Sequence, residues 1–307
     1  MRLFFAGLIP LAIIAAAAPA PDFRIDPALV DSLSAAPPGL MRAEPYLVHF
    51  RKGGLNLYYV CANHESREGG KTFEVIRKAF KAFPVRRVIV EGRRNHEGDV
   101  PAESAREAIR EAKDGRYKWG EGGYAIALAY KKGIPAIGGE PREQDVFLEM
   151  RRAGFGPEDM LGLGFVNMIP SYRDQGRLAA EGPKALFAET MEWKRKEFGV
   201  PPNLAFDYEA FGRWYGSKAG AAFDPAKIDY DVLRPDPKGT FLQRMSDATA
   251  NIRNGFLAGV IAGEVREYRH VLVVYGNGHH AAQRRALVAA FGEPVYEGQL
   301  ADSSGQR

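Results

Sequence analysis

Short apolar runs alternate with helical patterns along this chain, and that alternation limits the possible folds more than any other feature. Four runs have the length and composition of buried strands: GLNLYYV (54–60), RRVIV (86–90), IPAIG (134–138) and HVLVVY (270–275). The segments between the first three have helical spacing. Strands that alternate with helices are typical of a parallel sheet covered by helices. The sequence therefore predicts an α/β fold with a central, mainly parallel sheet flanked by helices.

Residues 142–239 interrupt this alternation with helical segments, aromatic residues and a Pro/Asp stretch. We interpret them as a mainly helical insertion that caps the sheet edge, within an α/β domain made of residues 46–141 and 240–300. A long helix is expected at about 241–268. Four aromatic side chains of the insertion either line a substrate site or, as their spacing favours, form its core: Trp193, Tyr208, Trp214 and Tyr215.

Residues 1–20, MRLFFAGLIPLAIIAAAAPA, combine an early Arg with an apolar run that ends in small residues and A-x-A cleavage sites. The run is shorter than the roughly 20 apolar residues that span a bilayer, so a cleaved secretory signal is favoured over a retained anchor. Residues 21–45, rich in Pro and Ala, are predicted to be an extended lead-in. We expect an exported, periplasmic or secreted protein that meets a membrane only through an uncleaved signal.

The charge pattern limits which partners the protein can bind, and the cysteine count limits what can stabilise its fold. The 42 Lys and Arg and 38 Asp and Glu residues are interspersed, without the basic stripe that binds nucleic acid. Cys61 is the single cysteine, so no intramolecular disulfide forms and the fold depends on its core.

Two histidines follow strand-like runs in similar local sequences: YVCANH, which ends at His64, and VYGNGH, which ends at His279. Glu91 directly follows the strand RRVIV, and Glu140 follows IPAIGG. Because the carboxyl ends of parallel strands lie along one edge of a sheet, these four side chains are predicted to converge there. Each alone is more often a cap or a structural partner, and it is their coincidence that favours a site.

Two imidazoles and two carboxylates form a suitable ligand set for a divalent ion. Such an ion lowers the pKa of a bound water and leaves one carboxylate free to act as a general base. Gly276 and Gly278 are predicted to let the backbone turn sharply and approach the bound group. The helix that follows them would direct its N-terminal amides at negative charge. His280 has no counterpart in the first motif and is expected to be structural.

These motifs, in this order, resemble those of the TraB/Tiki-type superfamily, which is related to ChaN and to erythromycin-esterase-like proteins. The resemblance covers residues 54–141 and 240–297. The matching residues are His64 in CANHE, Glu91 in VIVEG, Glu140 in GGEP, Arg253 and Asn254 in ATANIRNGFLAGVI, and Gly276 and His279 in VVYGNGHH. The sequence departs from the family's GxxH pattern at Cys61, which stands where the first Gly is expected and requires a negative φ.

The resemblance implies a hydrolase-like site in an α/β domain, with metal-dependent proteolysis in Tiki members and ester cleavage in the esterase relatives. On this basis Arg253 would enter the site to orient a carboxylate or to bind a substrate oxyanion. ChaN-like members imply a different class, a haem-associated binding protein, in which His64, Tyr172 or Tyr215 would be an axial ligand.

The leading hypothesis is an exported metal-dependent hydrolase that cleaves a peptide or a small-molecule ester. Its metal would be Mn, Co, Zn or Fe. His64 and His279 are predicted to be metal ligands or acid/base groups, and Glu91 a ligand or the general base. Glu140 is predicted to be a further ligand or an orienting group, and Arg253 an electrostatic stabiliser. The alternative is a protein that binds haem or another small ligand without turnover.

Overall fold

A computed structural model describes residues 23–300 except 38, 66, 113, 114, 118 and 202. The predicted signal at residues 1–20 lies outside the described residues. The strands are β1 (Tyr46–Lys52), β2 (Leu55–Ala62), β3 (Arg87–Arg94), β4 (Ala136–Glu140), β5 (His270–Gly276) and β6 (Tyr296–Gly298). They form one sheet in the order β4-β3-β5-β2-β1-β6, in which β4, β3, β5 and β2 are parallel. The predicted α/β class is confirmed.

The helices follow the predicted alternation. They are α1 (Lys71–Ala82), α2 (Ala102–Glu111), α3 (Gly120–Lys131), α4 (Glu143–Arg152), α5 (Pro157–Asp174), α6 (Arg177–Glu181), α7 (Pro183–Phe198), α8 (Tyr208–Ala219), α9 (Phe241–Tyr268) and α10 (Asn277–Phe291). In the described part of the chain, no helix is both long and apolar enough to cross a bilayer.

Both faces of the central sheet are buried, because successive side chains of a strand point to opposite faces. Tyr59 and Cys61 of β2 pack with α9 and α10 on one face. Tyr58 and Val60 of the same strand pack with α1 and α3 on the other. This double coverage explains why the parallel strands are continuously apolar in the sequence. Cys61 is a fully buried strand residue without a positive φ, as the motif comparison requires.

Strands β1 and β6 add antiparallel edges that the sequence analysis did not assign. Residues Gly53 and Gly54 join β1 to β2 in a two-residue turn with φ of 55° and 81°. Turns of this length need positive φ, which glycine adopts without steric cost. His49 lies in the middle of β1.

Residues 23–35 of the predicted lead-in pack on the domain. Phe23 and Ile25 are buried, and the ring of Phe23 lies 4.7 Å from that of Phe291 on α10. The backbone N–H of Asp31 donates to the carbonyl of Ala282 at 2.8 Å. The apolar side chains of this segment fill core positions against α9 and α10.

Residues 142–239 contain α4 to α8, and these helices share a hydrophobic core of their own. Helix α9 connects the two parts of the molecule. Its first turns bury Leu242 and Met245 in the core of the helical segment, while Leu257 and Ile261 pack on the sheet. Arg253 lies between these two regions, so the middle of α9 faces the carboxyl edge of the sheet.

Candidate functional site

The four parallel strands bring the sequence-predicted side chains to one edge. Because β5 lies between β3 and β2, their order along the edge is Glu140, Glu91, His279 and His64. Glu140 ends β4, Glu91 lies in the last half of β3, and His64 follows β2 by two residues. His279 lies in the first turn of α10, directly after β5.

Glu91 is the centre of the cluster. One of its carboxylate oxygens accepts a hydrogen bond from the backbone N–H of Gly276 at 2.7 Å. The other lies 3.3 Å from Nε2 of His279 and 3.7 Å from the guanidinium of Arg253. Burial of the carboxyl raises its pKa, but the charges of His279 and Arg253 outweigh burial and hold the pKa of Glu91 well below its usual range. Glu91 is therefore a persistent negative charge.

Asn254 sets the orientation of His279. The amide oxygen of Asn254 lies 2.6 Å from Nδ1 of His279, and an amide oxygen only accepts hydrogen bonds. Nδ1 therefore carries the proton, and Nε2 is directed at the Glu91 carboxylate. Two acceptors facing each other at this distance repel unless a proton or a cation lies between them.

A carboxylate holds His64 in a different way. Nδ1 of His64 lies 2.7 Å from Oε1 of Glu121, which is itself buried in the first turn of α3. This hydrogen bond, working against burial, raises the pKa of His64 to about 9. Glu121 therefore orients the imidazole and makes it more basic than an isolated histidine.

Glu121, in the segment GEGGY (120–124), was not identified in the sequence analysis. The signal was present in the glycines. A Cβ at Gly122 would lie 3.2 Å from the carbonyl oxygen of Glu91, so the first turn of α3 packs closely on the end of β3. Because Glu121 lies between Gly120 and Gly122, this close packing places its carboxyl group at the site.

Glu140 holds the guanidinium of Arg253 in place. Arg253 donates two hydrogen bonds to its carboxylate, at 2.7 and 2.6 Å, and the hydroxyl of Tyr275 donates a third at 3.1 Å. Glu140 is 1% exposed, and although burial raises its pKa, the bonds from Arg253 lower it overall. Burial lowers the pKa of Arg253, but its bonds to Glu140 outweigh burial and raise the pKa overall. These contacts favour the predicted orienting role of Glu140 over the role of metal ligand.

The two glycines before His279 act through their missing side chains. Gly276 has a φ of −52°, and Gly278 is not among the glycines with positive φ, so neither lies in the left-handed region. A Cβ at Gly276 would lie 3.4 Å from Oε2 of Glu91 and 3.5 Å from Nε2 of His64. A Cβ at Gly278 would lie 3.3 Å from the side chain of Leu33.

The donor chemistry around Gly276 suits a divalent ion. His64 Nε2 and Glu91 Oε2 border the space that its missing side chain leaves open, and His279 Nε2 faces the second oxygen of Glu91. Two imidazoles and one carboxylate form the ligand set of several catalytic zinc sites, with one position left for water. Both Nδ1 atoms are bound by acceptors, as is usual for metal-ligating histidines. Among the residues that the structure describes, no group of three His, Cys, Asp or Glu side chains is arranged as a metal site.

A cavity of about 440 Å³, here cavity 1, opens beside these side chains and is lined by His64, Arg253 and His279. From the helical segment it is lined by Leu163, Leu233 and Pro235. Of the aromatic residues predicted as a possible wall, Trp214 and Tyr215 are buried in the core of the helical segment, Tyr208 packs against that core, and Trp193 is partly buried.

The tyrosines considered as axial haem ligands do not face the site. Tyr172 is buried in the core of the helical segment, with its hydroxyl 2.9 Å from that of Thr190. Tyr215 is buried in the same core. His280, adjacent to His279, is also buried; burial lowers its pKa to about 3, and Nδ1 lies 3.2 Å from the Tyr46 hydroxyl. Its expected structural role agrees with these contacts.

Comparison of the chain with protein-family models, curated proteins and solved structures finds no match. The resemblance to TraB/Tiki-type proteins therefore rests on the motifs alone. Since a fold by itself does not determine a function, the function is argued from the site.

Proposed function

We propose that this protein is a hydrolase that cleaves an ester or peptide bond at the carboxyl edge of its sheet. The convergence of His64 and His279 on Glu91, with Arg253 beside them, carries the proposal. A persistent negative charge, two oriented imidazoles and an anchored guanidinium are the groups that water-dependent cleavage of a carbonyl compound requires.

We propose further that His64, His279 and Glu91 hold a divalent ion. When bound, such an ion would lower the pKa of a coordinated water toward neutrality. The persistent charge of Glu91 supports the role of metal ligand over that of general base, because a carboxyl with a strongly lowered pKa accepts protons poorly.

The other residues position and stabilise the reacting groups. Arg253, fixed by Glu140, presents its guanidinium to cavity 1, where it would stabilise the oxyanion that forms when water adds to the carbonyl carbon. Glu121 and Asn254 keep the two Nε2 atoms directed at the centre. Such supporting contacts typically change metal affinity or activity 10- to 100-fold when they are removed.

The experiment combines elemental analysis with hydrolysis assays. Purified protein is analysed for Mn, Fe, Co and Zn and is assayed on a panel of chromogenic esters and peptides, before and after treatment with a chelator. We expect one equivalent of metal and an activity that the chelator removes and metal restores. His279→Ala should lose both while its circular dichroism spectrum is retained.

His96→Ala is the matched control, because His96 is exposed and lies outside the site. If His279→Ala keeps full metal content and activity, the assignment of the site is refuted. A Soret band in the purified protein would instead favour the haem-binding alternative. The expected export is tested separately, by cell fractionation and by sequencing the N-terminus of the mature chain.

A further inference from the structure

A second cavity adjoins the site on the far side of Arg253. This cavity 2 has a volume of about 330 Å³. It shares Leu163, Asn167, Thr249 and Arg253 with cavity 1. The guanidinium proposed to bind the oxyanion therefore lies where the two cavities meet. A substrate held with its carbonyl at Arg253 would have one cavity on each side of the bond.

Helices α4, α5 and α7 build an apolar end for cavity 2. From α5 it is lined by Met160, Leu163, Gly164 and Met168, a spacing of three, four and eight residues that places them on one helical face. Val146 of α4 and Phe198 of α7 complete this end, and both are buried. The other lining residues are Gly92, Pro141 and the polar or charged residues Arg94, Glu140, Glu143, Asn167, Lys194, Thr249 and Arg253.

The charged side chains of the described residues around cavity 2 are paired. Arg94 is hydrogen-bonded to Glu143, and Arg253 to Glu140. Nζ of Lys194 lies 3.0 Å from Glu197, and its stem packs along Gly164. Because each of these charges is compensated, the cavity favours an uncharged occupant over an anion or a cation.

We propose that cavity 2 is a specificity subsite that receives a neutral, apolar group of the substrate, attached to the carbonyl that reacts at Arg253. An apolar cavity of about 150 Å³ is enough to bind benzene, so cavity 2 has room for a medium alkyl chain or a large aromatic side chain. This inference rests on the proposed hydrolase function and names its substrate class: esters or peptides with a bulky apolar acyl group.

The test varies the occupant and the cavity together. The ratio of kcat/KM for p-nitrophenyl octanoate to that for the acetate is measured in the wild type and in Met168→Trp, which fills the apolar end. A single methylene in a hydrophobic pocket changes kcat/KM by about tenfold or more, so we expect the wild type to favour the octanoate at least ~10-fold and the variant to lose this preference. Met168→Ala, which enlarges the cavity, should shift the preference to the decanoate.

Leu148→Trp is the control, because Leu148 lies on α4, is 52% exposed and does not line cavity 2. Binding of the neutral dye N-phenyl-1-naphthylamine gives a readout without turnover. We expect saturable fluorescence with the wild type and Leu148→Trp and its loss in Met168→Trp. If no ester or peptide is hydrolysed but dye binding follows this pattern, the hydrolase proposal fails, and cavity 2 is a binding site for a neutral apolar group without a role in hydrolysis. If esters are hydrolysed with a ratio that Met168→Trp leaves unchanged, the subsite is refuted.

Discussion

Replacing Arg253 by Met tests whether the guanidinium is held in place by a buried ion pair. The substitution removes the two hydrogen bonds to Glu140, at 2.7 and 2.6 Å, and leaves that carboxylate, which is 1% exposed, with the Tyr275 hydroxyl alone. Removal of one partner from a buried pair costs about 3–5 kcal/mol. Since the side chain of Arg253 is 33% exposed, water can enter, and we expect about 3 kcal/mol. The melting temperature should fall by roughly 5 °C.

A double-mutant cycle isolates the pair from the loss of either side chain. Urea unfolding is followed by circular dichroism for the wild type, Arg253→Met, Glu140→Gln and the double variant. We expect the double variant to be more stable than the sum of the single effects predicts, by about 1–3 kcal/mol. Additive effects, or a loss below about 1 kcal/mol in Arg253→Met, would refute the anchoring role of Glu140.

The same pair predicts a pH dependence of stability. Burial raises the pKa of Glu140, but the bonds from Arg253 lower it overall. A carboxyl with a lowered pKa in the folded state contributes stability above its unfolded value of about 4.3 and loses that contribution as the pH falls. The stability difference between the wild type and Glu140→Gln should therefore be present at neutral pH and shrink progressively below about pH 4.

Three further predictions concern the groups around the centre. Glu121→Gln should lower the pKa of His64 from about 9 toward 6.5, as measured by NMR titration, and a His64 that still titrates near 9 in the variant contradicts the assignment. The stability that this contact provides is fully present below about pH 6.5 and is lost as the pH rises through 9. Gly276→Ala should fold, because its Cβ lies at ordinary contact distances, yet bind metal more weakly; unchanged affinity would place the ion elsewhere. Asn254→Leu should weaken metal binding 10- to 100-fold in a competition assay with a chelator, and an unaltered affinity would show that His279 is oriented without Asn254.

The central sheet was predictable from the sequence because parallel strands buried on both faces are continuously apolar. Helix α9 was predictable for a similar reason, since its apolar spacing persists over its full length. Strand β6 lacks such a pattern, because it has three residues and Glu297 in it pairs with Arg42 and Arg284. The order of the strands was also beyond local sequence, because β5, which is distant in the chain from β2 and β3, lies between them.

At the site, the sequence identified which strand ends carry chemistry but could not assign what each side chain does there. His64 and His279 occur in similar motifs, yet one is held by the carboxylate of Glu121 and the other by the amide of Asn254. That difference comes from α3 and α9, which are distant in sequence from both motifs. A carboxylate partner strengthens the affinity of an imidazole for a proton or a metal, whereas an amide fixes the tautomer without adding charge. The two histidines should therefore be unequal, with Glu121→Gln changing the pH dependence of catalysis and Asn254→Leu changing mainly its magnitude.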